Sequence, residues 1–116
     1  KEYYLNLYND DNLSLIKMKK SLNKLSEYSK QKKIKVLLTI IPDLNFLEDY
    51  PFETIHNKMK DISKELGFEY HDLLTSLEGI PFEELQIIEG DSHPNEFGHK
   101  KISESLYPKI KELIHN

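Results

Sequence analysis

The fold class predicted for this chain depends first on residues 34–42, IKVLLTIIP. This stretch is a nearly continuous aliphatic run closed by a proline, which is typical of a strand covered on both faces, as in a parallel sheet. We therefore expect a strand over Ile34–Ile41 at the centre of the core. The run is too short to cross a bilayer, and no basic-then-apolar signal segment opens the chain.

Amphipathic helices are predicted on both sides of this strand. Apolar residues recur at helical spacing from Leu13 to about Gln31, and again from about Phe52 to Leu66. A short strand is expected over Phe68–His71. A last helix is expected to run from Glu96 toward His115, with a bend or break at Pro108.

The first residues complete an alternation of strands and helices. Residues 2–8, EYYLNLY, are aromatic and apolar with partial alternation, and the turn residues 9–12, NDDN, follow them. We therefore expect a first strand over Glu2–Tyr8. The order of strands and helices then predicts a single three-layer α/β domain over residues 1–116, in which helices flank a parallel sheet of about three strands.

Composition narrows the class of protein. The 116 residues are 38% hydrophobic and 31% charged, with a net charge of -4, which indicates a soluble globular domain. The absence of cysteine excludes a disulfide framework and a thiolate metal site, and leaves the cellular compartment open. Acidic residues outnumber the interspersed lysines, so a nucleic-acid surface is not indicated. No cofactor is expected.

The strongest chemical pattern lies just before the last helix, in Asp91-Ser92-His93-Pro94-Asn95. Pro94 disfavours helical geometry at His93, and Asn95 can cap the helix that follows. Asp91 and His93 are two residues apart, a spacing that points both side chains the same way in extended backbone. The carboxylate can then hold one ring nitrogen and leave the other free, as a general base requires.

In parallel sheets, functional residues gather at the carboxyl ends of the strands. Three segments are expected to meet there: the turn after the first strand, the loop over Pro42–Tyr50, and the loop that carries Asp91 and His93. Further residues of this site would come from the same segments and from the end of the third strand. The candidates are Asp10, Asp43, Ser92 and His71.

Together with Gly98-His99, the block Asp91–Asn95 resembles the last conserved block of the SGNH, or GDSL-type, hydrolases. In that family a catalytic Asp and His lie in such a loop before the C-terminal helix. The commonest family spacing is Asp-x-x-His, whereas this chain has Asp-x-His. The stretch 7–10, LYND, is similar to the family's Gly-x-Asn-Asp block, with Leu7 in the position of the glycine.

The resemblance implies a flavodoxin-like SGNH-hydrolase fold and a serine ester hydrolase or O-acyltransferase acting on a small ester or an acylated carbohydrate. It implies catalytic roles for His93 and Asp91 and an oxyanion role for Asn9. The family's nucleophilic serine belongs to a Gly-Asp-Ser block upstream of the Asn block, and none precedes Asn9 here. Gly90-Asp91-Ser92 lies in the final loop and is interpreted as coincidence. We therefore expect the C-terminal part of a larger SGNH-like domain, inactive by itself.

Two alternatives stay open on the sequence alone. One is a metal site built from Asp91, His93 and His99, although the chain has no His-x-x-x-His pair. The other is a non-catalytic α/β module used for association. A strand at residues 2–8 without its usual neighbour would expose an unpaired edge, so we also expect another chain or copy to cover it.

Overall fold

The computed structural model describes residues 1–116 and is mostly helical. Helices account for 64% of the residues, and only two parallel strands are present. The predicted three-layer α/β fold with a parallel sheet of about three strands is therefore wrong. The chain divides into two compact units, and the division passes through both strands.

The first unit comprises Lys1–Leu38 and Pro51–Tyr70. Its helices are α1 (Glu2–Leu7), α2 (Leu13–Lys32) and α3 (Glu53–Leu66). The strands β1 (Leu37–Ile40) and β2 (Glu69–Asp72) begin in this unit and end in the second. The long helices α2 and α3 lie where the apolar periodicity predicts them.

The segment 2–8 forms a helix instead of the predicted strand. The ring of Tyr4 packs edge-on against Phe52, with 5.7 Å between the ring centroids. Leu5 and Tyr8, three positions apart, line one cavity with Ile55 of α3. A short apolar segment fits either period, and here contacts with α3 and its N-terminal flank favour the helix. The predicted strand edge at residues 2–8 is therefore wrong, while the expectation that another chain or copy covers this segment stays a prediction.

The core of the first unit is built around α3. Its buried apolar stripe is Ile55, Met59, Ile62 and Leu66. The helix ends at Gly67, whose φ of 74° suits a glycine, and the Phe68 N–H donates to the Ser63 carbonyl at 2.9 Å. The Ser26 hydroxyl of α2 donates to the Leu66 carbonyl at 2.6 Å, which fixes α2 to the end of α3.

The strands β1 and β2 pair with each other and form the only sheet. The Glu69 N–H donates to the Val36 carbonyl at 2.9 Å at the start of this pairing. β1 lies inside the predicted strand Ile34–Ile41, but none of its four residues is fully buried. Ile34 and Ile41, at the ends of the aliphatic run, are 53% and 51% exposed. The strand was predicted correctly, whereas its burial on both faces was not.

The second unit comprises Thr39–Tyr50 and His71–Asn116. It contains a 3-10 helix (Leu44–Asp49), the short helices α4 (Leu74–Leu77) and α5 (Phe82–Leu85), and the long helix α6 (Glu96–His115). Its buried core is Leu44, Leu47, Leu73, Leu74, Leu77, Leu85 and Ile102. α6 continues through Pro108, so the break predicted there does not occur. No helix of the chain combines the length and apolar character needed to span a bilayer.

Candidate functional site

The loop between α5 and α6 carries the predicted acid–base pair. One carboxylate oxygen of Asp91, Oδ1, accepts a hydrogen bond from the His93 backbone N–H at 3.0 Å and from His93 Nδ1 at 2.5 Å. Because an ionised carboxylate only accepts, Nδ1 carries a proton, and in the neutral imidazole Nε2 is then an acceptor. The structure thus brings these two side chains together, while their catalytic roles stay predictions.

Hydrogen bonding favours the ionised form of the Asp91 carboxyl. The ring N–H of His93, and after it the His93 backbone N–H, lower the pKa of Asp91 below its ordinary value. The Asp91 side chain is only 29% exposed, whereas that of His93 is 78% exposed. The carboxylate therefore holds one side of an imidazole that is otherwise open to solvent.

The start of α6 places this loop. The Oδ1 atom of Asn95 accepts from the Gly98 N–H at 2.9 Å, which is the N-cap predicted from the sequence. The Asn95 backbone N–H donates to the Leu85 carbonyl at 2.7 Å, and Pro94 forms an isolated antiparallel bridge with Gln86. The loop is therefore fixed at its C-terminal end to the residues that follow α5.

Gly98 permits the close approach of this loop to α6. A Cβ atom at this position would lie 2.8 Å from the Pro94 Cβ and 3.0 Å from the Leu85 carbonyl oxygen. Both neighbours belong to backbone or to a rigid ring, so they have little room to move. This role of Gly98 was not predicted, although a glycine in the first turn of a helix is a signal for close packing.

Gln86 is a second residue that the sequence analysis missed. It is 5% exposed, and its Nε2 donates to the Asn45 Oδ1 at 2.8 Å, while its Oε1 has no hydrogen-bond partner. This bond joins the segment after α5 to the 3-10 helix. A glutamine between leucine and isoleucine gives no sequence signal for burial, so no pattern would have found it.

The other predicted site residues of the second unit make contacts of their own. Asp43 caps the 3-10 helix, accepting from the N–H and the side-chain amide of Asn45 at 3.1 Å each. His71, in β2, has its Nε2 2.8 Å from the Ser105 hydroxyl of α6. Ser92 is exposed in the loop. The hydrogen bonds of Asp43 and His71 are therefore made away from the acid–base pair.

Asn9 and Asp10 belong to the first unit, in the turn between α1 and α2. Asn9 Nδ2 makes a long contact of 3.4 Å with Asn6 Oδ1, and Asp10 accepts from Lys58 Nζ at 2.9 Å. The hydrogen bond and the charge of Lys58 lower the pKa of Asp10. Because this turn follows a helix, the prediction that Asn9 ends a core strand is wrong. The oxyanion role of Asn9 therefore depends on the motif resemblance alone.

The structure does not support the metal alternative. No group of three or more His, Cys, Asp or Glu side chains is arranged to hold a metal ion. Asp91, His93 and His99 therefore do not form the site considered from the sequence. His99 lies in the first turn of α6, where its backbone N–H donates to the Asn95 carbonyl at 2.9 Å.

In comparisons with known proteins, no family model, no curated protein and no solved structure matches this chain. The case for a function therefore consists of the sequence motifs and the geometry around Asp91 and His93.

Proposed function

We propose that this chain is part of a serine ester hydrolase or O-acyltransferase of the SGNH type. The observation that supports the proposal is the contact between Asp91 and His93. The carboxylate holds the Nδ1–H form of an imidazole that is 78% exposed, in the loop directly before α6. A general base needs this arrangement. In this proposal the nucleophilic serine comes from residues other than these 116.

The chemistry is acyl transfer to a serine and then to an acceptor. His93 Nε2 takes the proton of the serine hydroxyl as its oxygen attacks the ester carbonyl. Asp91 keeps Nδ1 protonated and stabilises the imidazolium. The alcohol leaves with the proton from His93. Water or a sugar hydroxyl, deprotonated by His93, then attacks the acyl-serine and takes the acyl group, while His93 returns the proton to the serine oxygen. The acyl donor in this proposal is a small ester or an acylated carbohydrate.

The test is an esterase assay of the natural protein that carries these residues, with p-nitrophenyl acetate as substrate. We expect His93→Ala to lower kcat/KM by about 100-fold or more, because the general base is lost. The matched control is His99→Ala, which removes another exposed imidazole from the same region and should retain activity. Equal activity of the wild type and His93→Ala would refute the role of His93. The 116-residue chain alone is expected to have little or no activity.

A non-catalytic association module is the second candidate, and exposed apolar residues on α6 favour it. Tyr107, Ile110 and Ile114 are 66%, 43% and 73% exposed. Their spacing places them on one side of the helix, as in surfaces that pair with a second helix. Sedimentation of the natural protein over a range of concentrations tests this candidate. A mass that stays monomeric throughout would contradict self-association.

A further inference from the structure

All the hydrogen-bond donors of Asn95 bind carbonyl groups of the neighbouring segment, residues 84–86. Its Nδ2 donates to the carbonyl oxygens of Glu84 and Gln86 at 2.8 and 2.9 Å, and its backbone N–H donates to the Leu85 carbonyl at 2.7 Å. Its Oδ1 meanwhile accepts from the Gly98 N–H at 2.9 Å. One residue thus binds three consecutive carbonyls and caps α6 at the same time.

Capping alone does not require the amide nitrogen of Asn95. Serine and aspartate cap helices about as well as asparagine, because each offers a side-chain oxygen to the first turn. Neither can donate two hydrogen bonds from the same side chain to the carbonyls of Glu84 and Gln86. These two bonds therefore have a function separate from starting α6.

The loop that carries the acid–base pair has few other attachments. Residues 87–90, 92 and 93 are all exposed, and the Asp91 N–H donates to Ile88 within the same loop. The segment 84–86, in contrast, is anchored, since Leu85 is fully buried in the core of the second unit. The contacts of Asn95 therefore join a mostly exposed turn to a fixed part of the unit.

We propose that Asn95 is a positioning residue, whose amide nitrogen holds the turn of Asp91 and His93 against the segment 84–86. Without these bonds the turn moves, and the local hydrogen bonds between Asp91 and His93 are made for less of the time. The importance of this for catalysis depends on the proposed function, because a misplaced base loses rate even when it is chemically intact.

Two substitutions separate positioning from capping. Asn95→Ser and Asn95→Asp both keep an oxygen for the Gly98 N–H. Asn95→Asp removes both donors to Glu84 and Gln86, and Asn95→Ser leaves one shorter hydroxyl donor that cannot bind both carbonyls. Asn95→Asp adds a negative charge beside two carbonyls, whereas Asn95→Ser does not, so a shared result excludes charge as its cause. The matched control is Asn12→Asp, because Asn12 caps α2 through the Ser14 N–H at 2.8 Å in the first unit.

The measurements are made by NMR on the natural protein, with α6 followed through its backbone chemical shifts. In both Asn95 variants we expect the Asp91 carboxyl to titrate closer to its ordinary pKa than in the wild type. We also expect the His93 N–H to exchange about tenfold faster or more, as local opening becomes easier. Asn12→Asp should change neither. Unchanged titration and exchange, or loss of α6 in both variants, would overturn the inference.

Kinetics then distinguish a failure of this inference from a failure of the proposed function. In an SGNH-type esterase, both Asn95 variants should lose up to about 100-fold in kcat with little change in KM. If His93→Ala has no effect on activity, the proposed function fails, while the Asp91 titration still decides the role of Asn95. If His93→Ala abolishes activity but both Asn95 variants titrate and turn over like the wild type, only the inference about Asn95 fails.

Discussion

Asp10 in the first unit and Asp91 in the second each bind a basic side chain through Oδ1, and in both cases the contact lowers the carboxyl pKa. Their partners differ in what else they do. Lys58 Nζ also donates to the Tyr8 carbonyl at 2.7 Å, so it fixes the end of α1 to α3. His93 makes no second side-chain hydrogen bond and is 78% exposed. Similar electrostatics thus give a structural pair in one unit and a pair suited to proton transfer in the other.

The largest expected contrast between the two pairs is in activity. If the proposed function is right, Asp91→Asn should lower kcat of the natural protein by about 100-fold or more, because an amide can donate to Nδ1 and favour the wrong tautomer of His93. Asp10→Asn should leave turnover near the wild-type value. The check is the p-nitrophenyl acetate assay on both variants. Comparable losses in the two would show that the distinction between the pairs is wrong.

The next effect concerns the packing that supports the loop of Asp91. Gly98→Ala places a Cβ 2.8 Å from the Pro94 Cβ, and overpacking of this kind costs about 1–3 kcal/mol of unfolding free energy. Helix propensity alone predicts the opposite sign, since alanine is favoured over glycine within a helix by about 1 kcal/mol. Urea denaturation distinguishes the two. Ser103→Ala, at an exposed position of α6, is the control and should change little.

A smaller effect is expected in the first unit. Lys58→Met removes the donor to the Tyr8 carbonyl and keeps the aliphatic stem, so we expect a loss of about 1 kcal/mol of unfolding free energy. Lys60→Met, at an exposed position of the same helix, is the control. Because Lys58→Met also removes the contact with Asp10, equal stability of the two variants in urea would mean that the contacts of Lys58 with Tyr8 and Asp10 together add nothing. Esterase activity of the natural protein should be unchanged in both.

The smallest effect is a dependence of stability on pH. Since folding lowers both carboxyl pKa values, each pair adds stability above the ordinary carboxyl pKa of about 3.9, and this is lost as the pH falls through the lowered value. Urea unfolding of the wild type, Asp10→Asn and Asp91→Asn below about pH 5 measures it. The advantage of the wild type should shrink with acidification. If the difference in unfolding free energy between the wild type and each variant stayed the same at every pH, the direction of both pKa shifts would be contradicted.

Much of the secondary structure could be predicted because its signals are local. Helices α2, α3 and α6 begin and end within one or two residues of the predicted bounds, since apolar periodicity and capping residues act over a few positions. The strands β1 and β2 also lie inside or beside the predicted segments. These elements required no knowledge of what they pack against.

The sheet was predicted wrongly because its size depended on one ambiguous segment. Residues 2–8 fit both strand alternation and helical spacing, and packing against Phe52 decides between them. Once that segment was counted as a strand, the expectation of three parallel strands followed.

In the candidate site, too, local contacts could be predicted from the sequence and tertiary contacts could not. The contact between Asp91 and His93 could be predicted because both residues lie in one turn, with a proline and a capping asparagine beside them. The partners of Asn95, the burial of Gln86 and the close approach at Gly98 could not. Each of them depends on tertiary contacts between two segments, and a single sequence does not indicate which segments will be in contact.

The contact between Asp91 and His93 lies within a segment of three residues, 91–93. Insertions or deletions elsewhere in the gene therefore leave the separation of acid and imidazole untouched, whereas Asp10 and Lys58 depend on everything encoded between them. The segment 91–93 can therefore be transferred between proteins as one unit. We expect it to tolerate grafting into an unrelated scaffold, provided that the host supplies a loop leading into a capped helix and a neighbouring segment whose carbonyls can bind the capping asparagine, as Glu84 and Gln86 do here.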